Sequence, residues 1–198
     1  MRNELLIVAA LGIVAVGCSK SEPVVQSPDG RITLALDRTD SSLSYRVDVD
    51  GRPLILPSRL GFVADGLVSA PDAGMSLAFA EADTVWHQSW GENKEIRDHY
   101  NEMAMTLADS ALTMTLRVRA FDDGVAFRYE WEAAGRDSIT VMDELTEFAF
   151  AEATTSWSIP ADFDSYEKNY RVLPVDSVSD ANTPFTFMTD STRVFGSI

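Results

Sequence analysis

The sequence is poor in cysteine and histidine, the residues that form disulfide bridges, zinc sites and redox centres. It contains one cysteine and two histidines in 198 residues. A single cysteine cannot form an internal disulfide, so the mature fold must be held together by its core. Two histidines are too few for a zinc site, and the chain has no Cys-x-x-Cys pair, Gly-rich phosphate loop or Gly-x-Ser-x-Gly elbow. Redox, nucleotide-binding and serine-hydrolase functions therefore have no supporting motif.

Positive charge is also scarce. The chain has 16 Lys and Arg against 31 Asp and Glu, which gives a formal net charge of −15. Such an acidic chain repels phosphate backbones and anionic lipid surfaces, so the composition argues against nucleic-acid binding. Neutral or cationic ligands, including sugars and divalent metal ions, remain compatible with it.

Apolar residues form only one long run, close to the N-terminus. Residues 5–16 are about twelve apolar residues, whereas a helix needs roughly 20 to cross a bilayer. The run follows a short start that carries Arg2, and it has the proportions of a signal peptide. It ends in "AVGC", which resembles the lipobox of bacterial lipoproteins and implies cleavage before Cys18 and lipid attachment to its thiol. An ordinary signal peptide with an incidental cysteine is the alternative.

These features predict the organisation of the chain. We expect a lipoprotein signal peptide at residues 1–17, a tether at 18–26 and one domain, or part of a larger one, at 27–198. Ser19 follows the cysteine in place of the aspartate that is linked to inner-membrane retention in some bacteria. We therefore expect a cell-envelope protein, anchored by lipid in the outer membrane and facing the periplasm.

The first half of the domain shows the alternation typical of strands. "GRITLALDR" places apolar Ile32, Leu34 and Leu36 at every second position, and "SLSYRVDVDGRPL" alternates in the same way. The second segment then turns at Asp50-Gly51, a dipeptide that is favoured in two-residue hairpins. We expect two antiparallel strands here.

The second half repeats this pattern. Residues 103–107, 112–121 and 125–131 alternate and are separated by turn residues, which predicts a meander. "SITVMDELTEFAF" fits either a strand pair or a short helix, and the β-branched residues 139–141 favour the strand. No segment has the sustained helical periodicity of a long amphipathic helix. The sequence therefore predicts a mostly β fold, a large antiparallel sandwich.

Seven segments together resemble one known family. They are "SPDGRITLAL", "DGRPLILPSRLGF", "WGENKEIRDHYNEM", "RAFDDGVAFRYEW", "DELTEFAF", "WSIPADFDSYEKNY" and "NTPFTF". Singly they are only moderately specific, but in this order they resemble the N-terminal domain of glycoside hydrolase family 97. The resemblance implies a β-supersandwich similar to galactose mutarotase, followed by a catalytic (β/α)8 barrel and a small C-terminal β domain. On that basis we expect a fragment whose sandwich is truncated at its C-terminal end and which lacks the barrel.

The resemblance also implies how such a domain contributes to activity. In the family the two catalytic carboxyl groups lie on the barrel, so we expect this chain alone to be inactive. The N-terminal domain packs over the mouth of the barrel and supplies one glutamate to a calcium ion, which takes oxygen ligands. Glu167 in "SYEKNY" is the expected ligand, and a solvated loop carboxylate is the alternative reading.

The polar segment "WGENKEIRDHYNEM" resembles the family segment that links two strands and faces the barrel. An indole stacks on apolar sugar faces, and amides and carboxylates bind sugar hydroxyls. The residues expected to contact substrate are Trp90, Glu92, His99 and Asn101. The alternative is a crowded loop in which Arg97, Asp98, His99 and Tyr100 satisfy one another.

Two functions are consistent with these observations. The first is the N-terminal part of a lipid-anchored glycosidase that acts on α-glucosides or α-galactosides. Its partners would be an α-linked oligosaccharide, the barrel of the same polypeptide and a membrane reached through the lipid. The second is a stand-alone carbohydrate-binding or scaffolding β-sandwich lipoprotein.

Overall fold

The computed structural model describes residues 23–39, 42–64, 67–68, 74–108, 110, 112–191 and 193–198. The predicted signal peptide, Cys18 and most of the predicted tether lie outside these residues. Within them, no helix is long and apolar enough to cross a membrane. Apart from one short 3-10 helix at Val175–Ser177, the regular structure there consists of strands.

The strands are numbered in chain order. They are β1 (Val24–Gln26), β2 (Ile32–Arg38), β3 (Leu43–Val49), β4 (Arg52–Leu60), β5 (Phe62–Ala64), β6 (Leu67–Val68), β7 (Gly74–His87), β8 (Glu95–Ala108), β9 (Leu112–Phe121), β10 (Gly124–Ala133), β11 (Val141–Glu144), β12 (Thr154–Ser158), β13 (Arg171–Pro174), β14 (Thr186–Thr189) and β15 (Phe195–Ser197).

The first sheet has the order β1-β2-β3-β4, and all its neighbours are antiparallel. The hairpin predicted at Asp50-Gly51 is confirmed, because β3 and β4 flank it and both residues have positive φ, 51° and 73°. Three residues of the predicted tether lie in a strand. Residues 24–26 form β1, since Val24 and Val25 favour extended backbone and the Val25 side chain is buried against the core.

The second sheet has the order β10-β9-β8-β7 and is also antiparallel. This confirms the predicted meander. The two sheets face each other and enclose one apolar core. Its fully buried side chains include Leu34, Met103, Met105, Met114, Leu116 and Val118. The fold is therefore the mostly β, antiparallel sandwich that the alternating pattern predicts.

The remaining strands extend the sandwich at one side. β11 pairs with β5, which confirms the strand interpretation of "SITVMDE". The chain then runs along β4, where the backbone N–H groups of Glu147 and Ala151 donate to the carbonyls of Arg59 and Leu54. β11, β5 and β6 form a three-stranded sheet, and a four-stranded sheet, which we call the C-terminal sheet, follows in the order β13-β12-β14-β15. Phe187 of this sheet packs on Phe150 with ring centroids 4.6 Å apart.

Candidate functional site

The polar segment around residues 89–103 is mainly a strand, not the predicted linking loop. β7 and β8 are each 14 residues long and pair over their whole length, whereas β9 pairs with β8 only from Tyr100 onward. Residues 83–99 therefore project beyond the sheet as a two-stranded hairpin, which we call the arm. Its paired part is about 16 Å long at ~3.3 Å per residue. The arm shows no clean alternation because neither of its faces belongs to the main core.

The tip of the arm carries two of the predicted substrate-binding residues. Trp90 and Glu92 lie in the connection between β7 and β8 and are exposed, Trp90 to 88%. The connection is held by the Gln88 side-chain amide, which donates to the Asn93 carbonyl at 2.7 Å. Trp86, opposite Ile96 in the register, is 50% exposed. The arm thus presents two indole groups to its surroundings.

The other two predicted residues lie further along β8, on its core-facing side. Asn101 Nδ2 donates to the Gln26 carbonyl at 2.9 Å, which ties β8 to β1. The His99 ring lies with Nδ1 3.6 Å from Asp122 Oδ2. His99 is four residues from the start of β8, or about 13 Å along the strand. The structure brings His99 and Asn101 together but separates both from Trp90 and Glu92.

The alternative of a loop that pairs with itself is wrong. Arg97 and His99 project from one face of β8 and Asp98 and Tyr100 from the other, because successive side chains alternate in a strand. Arg97 instead forms a bidentate pair with Asp83 of β7, at 2.7 and 2.9 Å. Hydrogen bonding by Arg97 holds the pKa of the Asp83 carboxyl below its usual value.

A polar cluster lies at the end of the sandwich beside His99. The backbone N–H of Asp29 donates to Asp122 Oδ1 at 2.8 Å, so the β1–β2 loop is fastened to the β9–β10 turn. Asp29 in turn accepts hydrogen bonds from the Ser27 hydroxyl at 2.6 Å and the Arg31 backbone at 3.0 Å. The Ser27 hydrogen bond, followed by that of Arg31, lowers the pKa of Asp29. This cluster joins two turns beside the base of the arm in β8 and was not predicted from the sequence.

The outer face of the second sheet carries an ionic network that the sequence analysis also missed. Glu102 is 8% exposed and accepts hydrogen bonds from Arg117 and Arg119. Arg117 also forms a bidentate pair with Glu130, with both distances 2.9 Å. The available signal was that Arg117 and Arg119 are two residues apart in a strand whose even-numbered positions are all apolar, which places both arginines on the same outer face.

The pKa values in this network follow from its arginines. Burial alone would raise the pKa of Glu102, but hydrogen bonds from Arg119 and Arg117 outweigh it and the pKa is lowered. Arg117, with help from Arg128, lowers the pKa of Glu130 to about 2. These carboxylates are therefore held ionised and are engaged in structural pairs.

Glu167 lies in an irregular segment, residues 159–170, that connects β12 to β13. Its side chain is exposed, and its backbone N–H donates to Ser165 Oγ at 3.2 Å. The same segment contains an ion pair between Lys168 and Asp162 at 2.7 Å and three exposed aromatic residues. These are Phe163, Tyr166 and Tyr170.

The carboxylates in this segment do not form a calcium site by themselves. Among the described residues, no three His, Cys, Asp or Glu side chains are grouped so that they could hold a metal ion. Calcium takes six to eight oxygen ligands. Glu167 is exposed, but no two other described carboxylates are grouped with it so that they could hold a metal ion.

The outer face of the C-terminal sheet (β13-β12-β14-β15) is also partly apolar. Trp157 and Phe195 have ring centroids 6.2 Å apart, and Phe195 and Val172 are more than half exposed. Val172 is the register partner of Trp157, so the three side chains lie on one face. Among the described residues, the arm carries two exposed aromatic residues, the segment at residues 159–170 carries three, and this face carries one, Phe195.

Comparison with known proteins identifies the family. The sequence model described as glycosyl-hydrolase 97 N-terminal matches residues 25–198. The chain belongs to glycoside hydrolase family 97. The resemblance of the seven segments is thereby confirmed, and the described sandwich corresponds to the N-terminal domain of the family.

Solved structures agree with this assignment. The family 97 chain is similar to a glycoside hydrolase family 97 enzyme from Pseudoalteromonas sp. strain K8, solved as a variant in complex with panose and also in complex with acarbose. In both comparisons the identity is 33%, the TM-score is 0.75, and the match covers 84% of this chain. A β-arabinopyranosidase is similar at 26% identity with a TM-score of 0.76 over 84% of this chain. The matches cover 27% and 29%, respectively, of those relatives.

Proposed function

We propose that this domain is the non-catalytic N-terminal part of a lipid-anchored family 97 glycoside hydrolase that acts on α-glucosides or α-galactosides. In this proposal it packs against a (β/α)8 barrel and helps to shape the sugar and calcium site of that barrel. The observation that carries the proposal is the family match over residues 25–198, because the similar Pseudoalteromonas enzyme has been solved with the oligosaccharides panose and acarbose.

The carboxyl groups with a clear pKa shift are engaged in hydrogen bonds and ion pairs. Glycoside hydrolysis needs two carboxyl groups that flank one bond, about 5 Å apart for retention or about 6.5–9.5 Å for inversion. One of them must act as an acid, which requires a raised pKa. Among the described residues, every Asp or Glu with a clear shift has a lowered pKa.

Exposed aromatic groups support packing against another domain. Trp90 is exposed at the tip of the arm, Phe163 is fully exposed, and Phe195 is 68% exposed. Large exposed apolar groups of this kind mark interaction surfaces. We assign Trp90 and Glu92 of the arm tip to the contact with the barrel or its sugar. His99 and Asn101 would support this contact from the base of the arm.

Glu167 is the proposed contribution to the calcium site. Its exposed carboxylate would supply one oxygen ligand, and the barrel would supply the others. Calcium bound next to the sugar would orient the sugar and polarise a water molecule. The neighbouring Lys168 is paired with Asp162, so its charge is partly neutralised and does not oppose a cation at Glu167.

The lipid anchor is proposed from the sequence at Cys18. Expression in a bacterium that processes lipoproteins, followed by mass spectrometry of the N-terminal peptide, tests this part. A diacylglyceryl group on Cys18 supports it. An unmodified Cys18 on a processed chain, or cleavage at another position, contradicts it.

Hydrolysis assays test the main proposal. The 198-residue chain should release no sugar from 4-nitrophenyl α-glucoside or α-galactoside, whereas a polypeptide that also contains the barrel should hydrolyse one of them. Sugar release by the 198-residue chain alone would overturn the non-catalytic assignment. Absence of release by the barrel-containing polypeptide on both substrates would overturn the substrate class.

A further inference from the structure

Asp-Gly pairs are the positions at which a polypeptide backbone most readily rearranges. The backbone nitrogen of the second residue can attack the carboxyl group of the aspartate, and glycine has no side chain that hinders this approach. The sequence contains four such pairs, at residues 29–30, 50–51, 65–66 and 123–124. The pair at 65–66 lies outside the described residues. The other three lie at turns between strands, and their surroundings differ.

Both reacting groups of the first pair are already engaged. The Asp29 carboxylate accepts hydrogen bonds from the Ser27 hydroxyl at 2.6 Å and from the Arg31 backbone at 3.0 Å. The backbone N–H of Gly30 donates to the Ser27 carbonyl at 2.9 Å. The Ser27 hydrogen bond, followed by that of Arg31, also lowers the pKa of Asp29, so its neutral acid form, which is the better electrophile, is scarce. Attack by the Gly30 nitrogen is therefore disfavoured.

An ion pair protects the second pair. Asp50 is bound by Arg31 through two hydrogen bonds, both 2.9 Å long, and the same contact lowers the pKa of Asp50. Crowding does not contribute, because a Cβ atom at Gly51 would meet no atom within 4 Å. The Asp50 carboxyl group must leave Arg31 before it can reach the Gly51 nitrogen. For an exposed pair this requirement slows the reaction about fivefold.

The third pair has neither form of protection. Asp123 is exposed, and within the described part of the chain no hydrogen bond or ion pair engages its carboxylate. A Cβ atom at Gly124 would meet no atom within 4 Å, and both residues line a cavity of about 580 Å³ that leaves room for a ring to form. Gly124 pairs with Phe121 at the end of the β9–β10 ladder, where backbone pairs open most easily.

We propose that Asp123 isomerises to isoaspartate through a succinimide formed with Gly124. The Gly124 nitrogen bonds to Cγ of Asp123, and its proton leaves as water together with the hydroxyl of the protonated carboxyl group. Water then adds to the main-chain carbonyl carbon of the five-membered ring, and the bond from that carbon to the nitrogen breaks. The chain now continues through Cγ. One water is lost and one is regained, so the mass is unchanged. This inference is independent of the proposed glycosidase function.

The altered linkage lengthens the β9–β10 turn by one backbone atom. This turn contains only Asp122 and Asp123, between the paired residues Phe121 and Gly124. Because the length of such a turn fixes the register of its strands, the end of the hairpin must shift, and Asp122 shifts with it. Asp122 Oδ1 accepts the backbone N–H of Asp29 at 2.8 Å. We therefore expect isomerisation to free the β1–β2 loop beside the base of the arm.

Ageing of the full 198-residue chain at neutral pH and physiological temperature tests the proposal. Methylation by protein L-isoaspartyl methyltransferase with labelled S-adenosylmethionine measures the total isoaspartate. Peptide mapping with electron-transfer fragmentation then assigns it to positions, so that the pair at 65–66 is scored separately. We expect about five times more isoaspartate at Asp123 than at Asp50, and no more at Asp29 than at Asp50. Equal amounts at the three described pairs, or none at Asp123, would overturn the proposal.

Two variants test the cause of the selectivity. Gly124→Ala adds a methyl group that hinders the attack but fits the available space, so it should remove most of the isoaspartate at Asp123. Arg31→Gln frees the Asp50 carboxylate and should raise isoaspartate at Asp50 about fivefold without changing Asp123. After ageing, hydrogen exchange at the Asp29 amide should be faster in the wild-type chain but not in Gly124→Ala. Unchanged isoaspartate at Asp123 in Gly124→Ala, or at Asp50 in Arg31→Gln, would contradict the proposal.

Discussion

Arg119 Nε donates to Glu102 Oε2 at 2.7 Å on the outer face of the second sheet, across the pairing of β8 with β9. The Arg119 guanidinium also lies 4.1 Å from the centre of the Tyr100 ring. Glu102 is the most deeply buried acidic side chain of its network and is bonded by two arginines. Removing one partner of a charge pair at this depth destabilises the fold, because the other charge is then left without its partner.

Substitution of Glu102 by Gln tests this relationship. The variant keeps the size of the side chain but leaves two arginines without their shared carboxylate. We expect a loss of about 1–2 kcal/mol in the free energy of unfolding, because both arginines remain partly hydrated. Urea denaturation measures it. Glu132→Gln, an exposed position on β10, is the control and should change stability by less than about 0.5 kcal/mol. Equal losses in the two variants would contradict the assigned role of Glu102.

Acidification should destabilise the domain below about pH 4.5. The pKa of Glu130 is lowered to about 2, and that of Glu102 is also lowered, so both groups bind protons more weakly in the folded than in the unfolded chain. Their contribution is therefore complete above the unfolded pKa and is lost as the pH falls through the folded pKa. The urea midpoint should fall between pH 5 and pH 3 and should fall less in Glu130→Gln. If the urea midpoint of Glu130→Gln had the same pH dependence as that of the wild-type chain, Glu130 would not be a source of the acid destabilisation.

Gly196 is required by the packing of Phe187. A Cβ atom at position 196 would lie 2.6 Å and 2.9 Å from two carbons of the Phe187 ring. That ring is 6% exposed and packs on Phe150, so it has little room to move. We expect Gly196→Ala to destabilise the domain by about 1–3 kcal/mol, measured as a fall in the thermal midpoint. Gly124→Ala is the control, because a Cβ there meets no atom within 4 Å; a similar fall in both variants would refute the packing argument.

Calcium binding tests the role of Glu167. In a polypeptide that contains the barrel, Glu167→Gln should weaken calcium binding by about tenfold or more, since the amide oxygen replaces a charged ligand. Isothermal titration calorimetry measures the affinity. Glu132→Gln is again the control, because it also removes one negative charge but at an exposed position on β10. Unchanged calcium affinity in Glu167→Gln would show that Glu167 is not a calcium ligand.

Most of the sandwich could be predicted from the sequence because its strands have one face in the core and one in water. β9 alternates between buried and half-buried positions along its entire length, and this pattern is visible in the letters "LTMTLRVRAF". The arm could not be predicted in this way. Residues 83–87 and 95–99 have both faces outside the main core, so their order of polar and apolar residues is not constrained by burial.

The candidate site was predicted less completely than the fold. Residue types pointed to Trp90, Glu92, His99 and Asn101, but their separation depends on the length of β8, which polar residues do not reveal. The cluster around Asp122 depends on two turns and strand β8, which are distant in the sequence and meet only in the folded chain. Such contacts form only in the folded chain, so the composition and spacing of a single segment do not predict them.

The position of β7 at the end of the sheet order has a consequence for the behaviour of concentrated solutions. In the described part of the chain its hydrogen-bonding neighbour is β8, on one side, and Phe79 and Val85 are about half exposed along it. Such an exposed edge strand can form backbone hydrogen bonds with a strand of another molecule. With a net charge of −15, mutual repulsion keeps copies apart at low ionic strength, and this protection shrinks as salt shortens the screening length to about 3 Å at 1 M. The colloidal stability of this domain therefore depends on its charge, and added salt lowers the protein concentration at which molecules pair edge to edge.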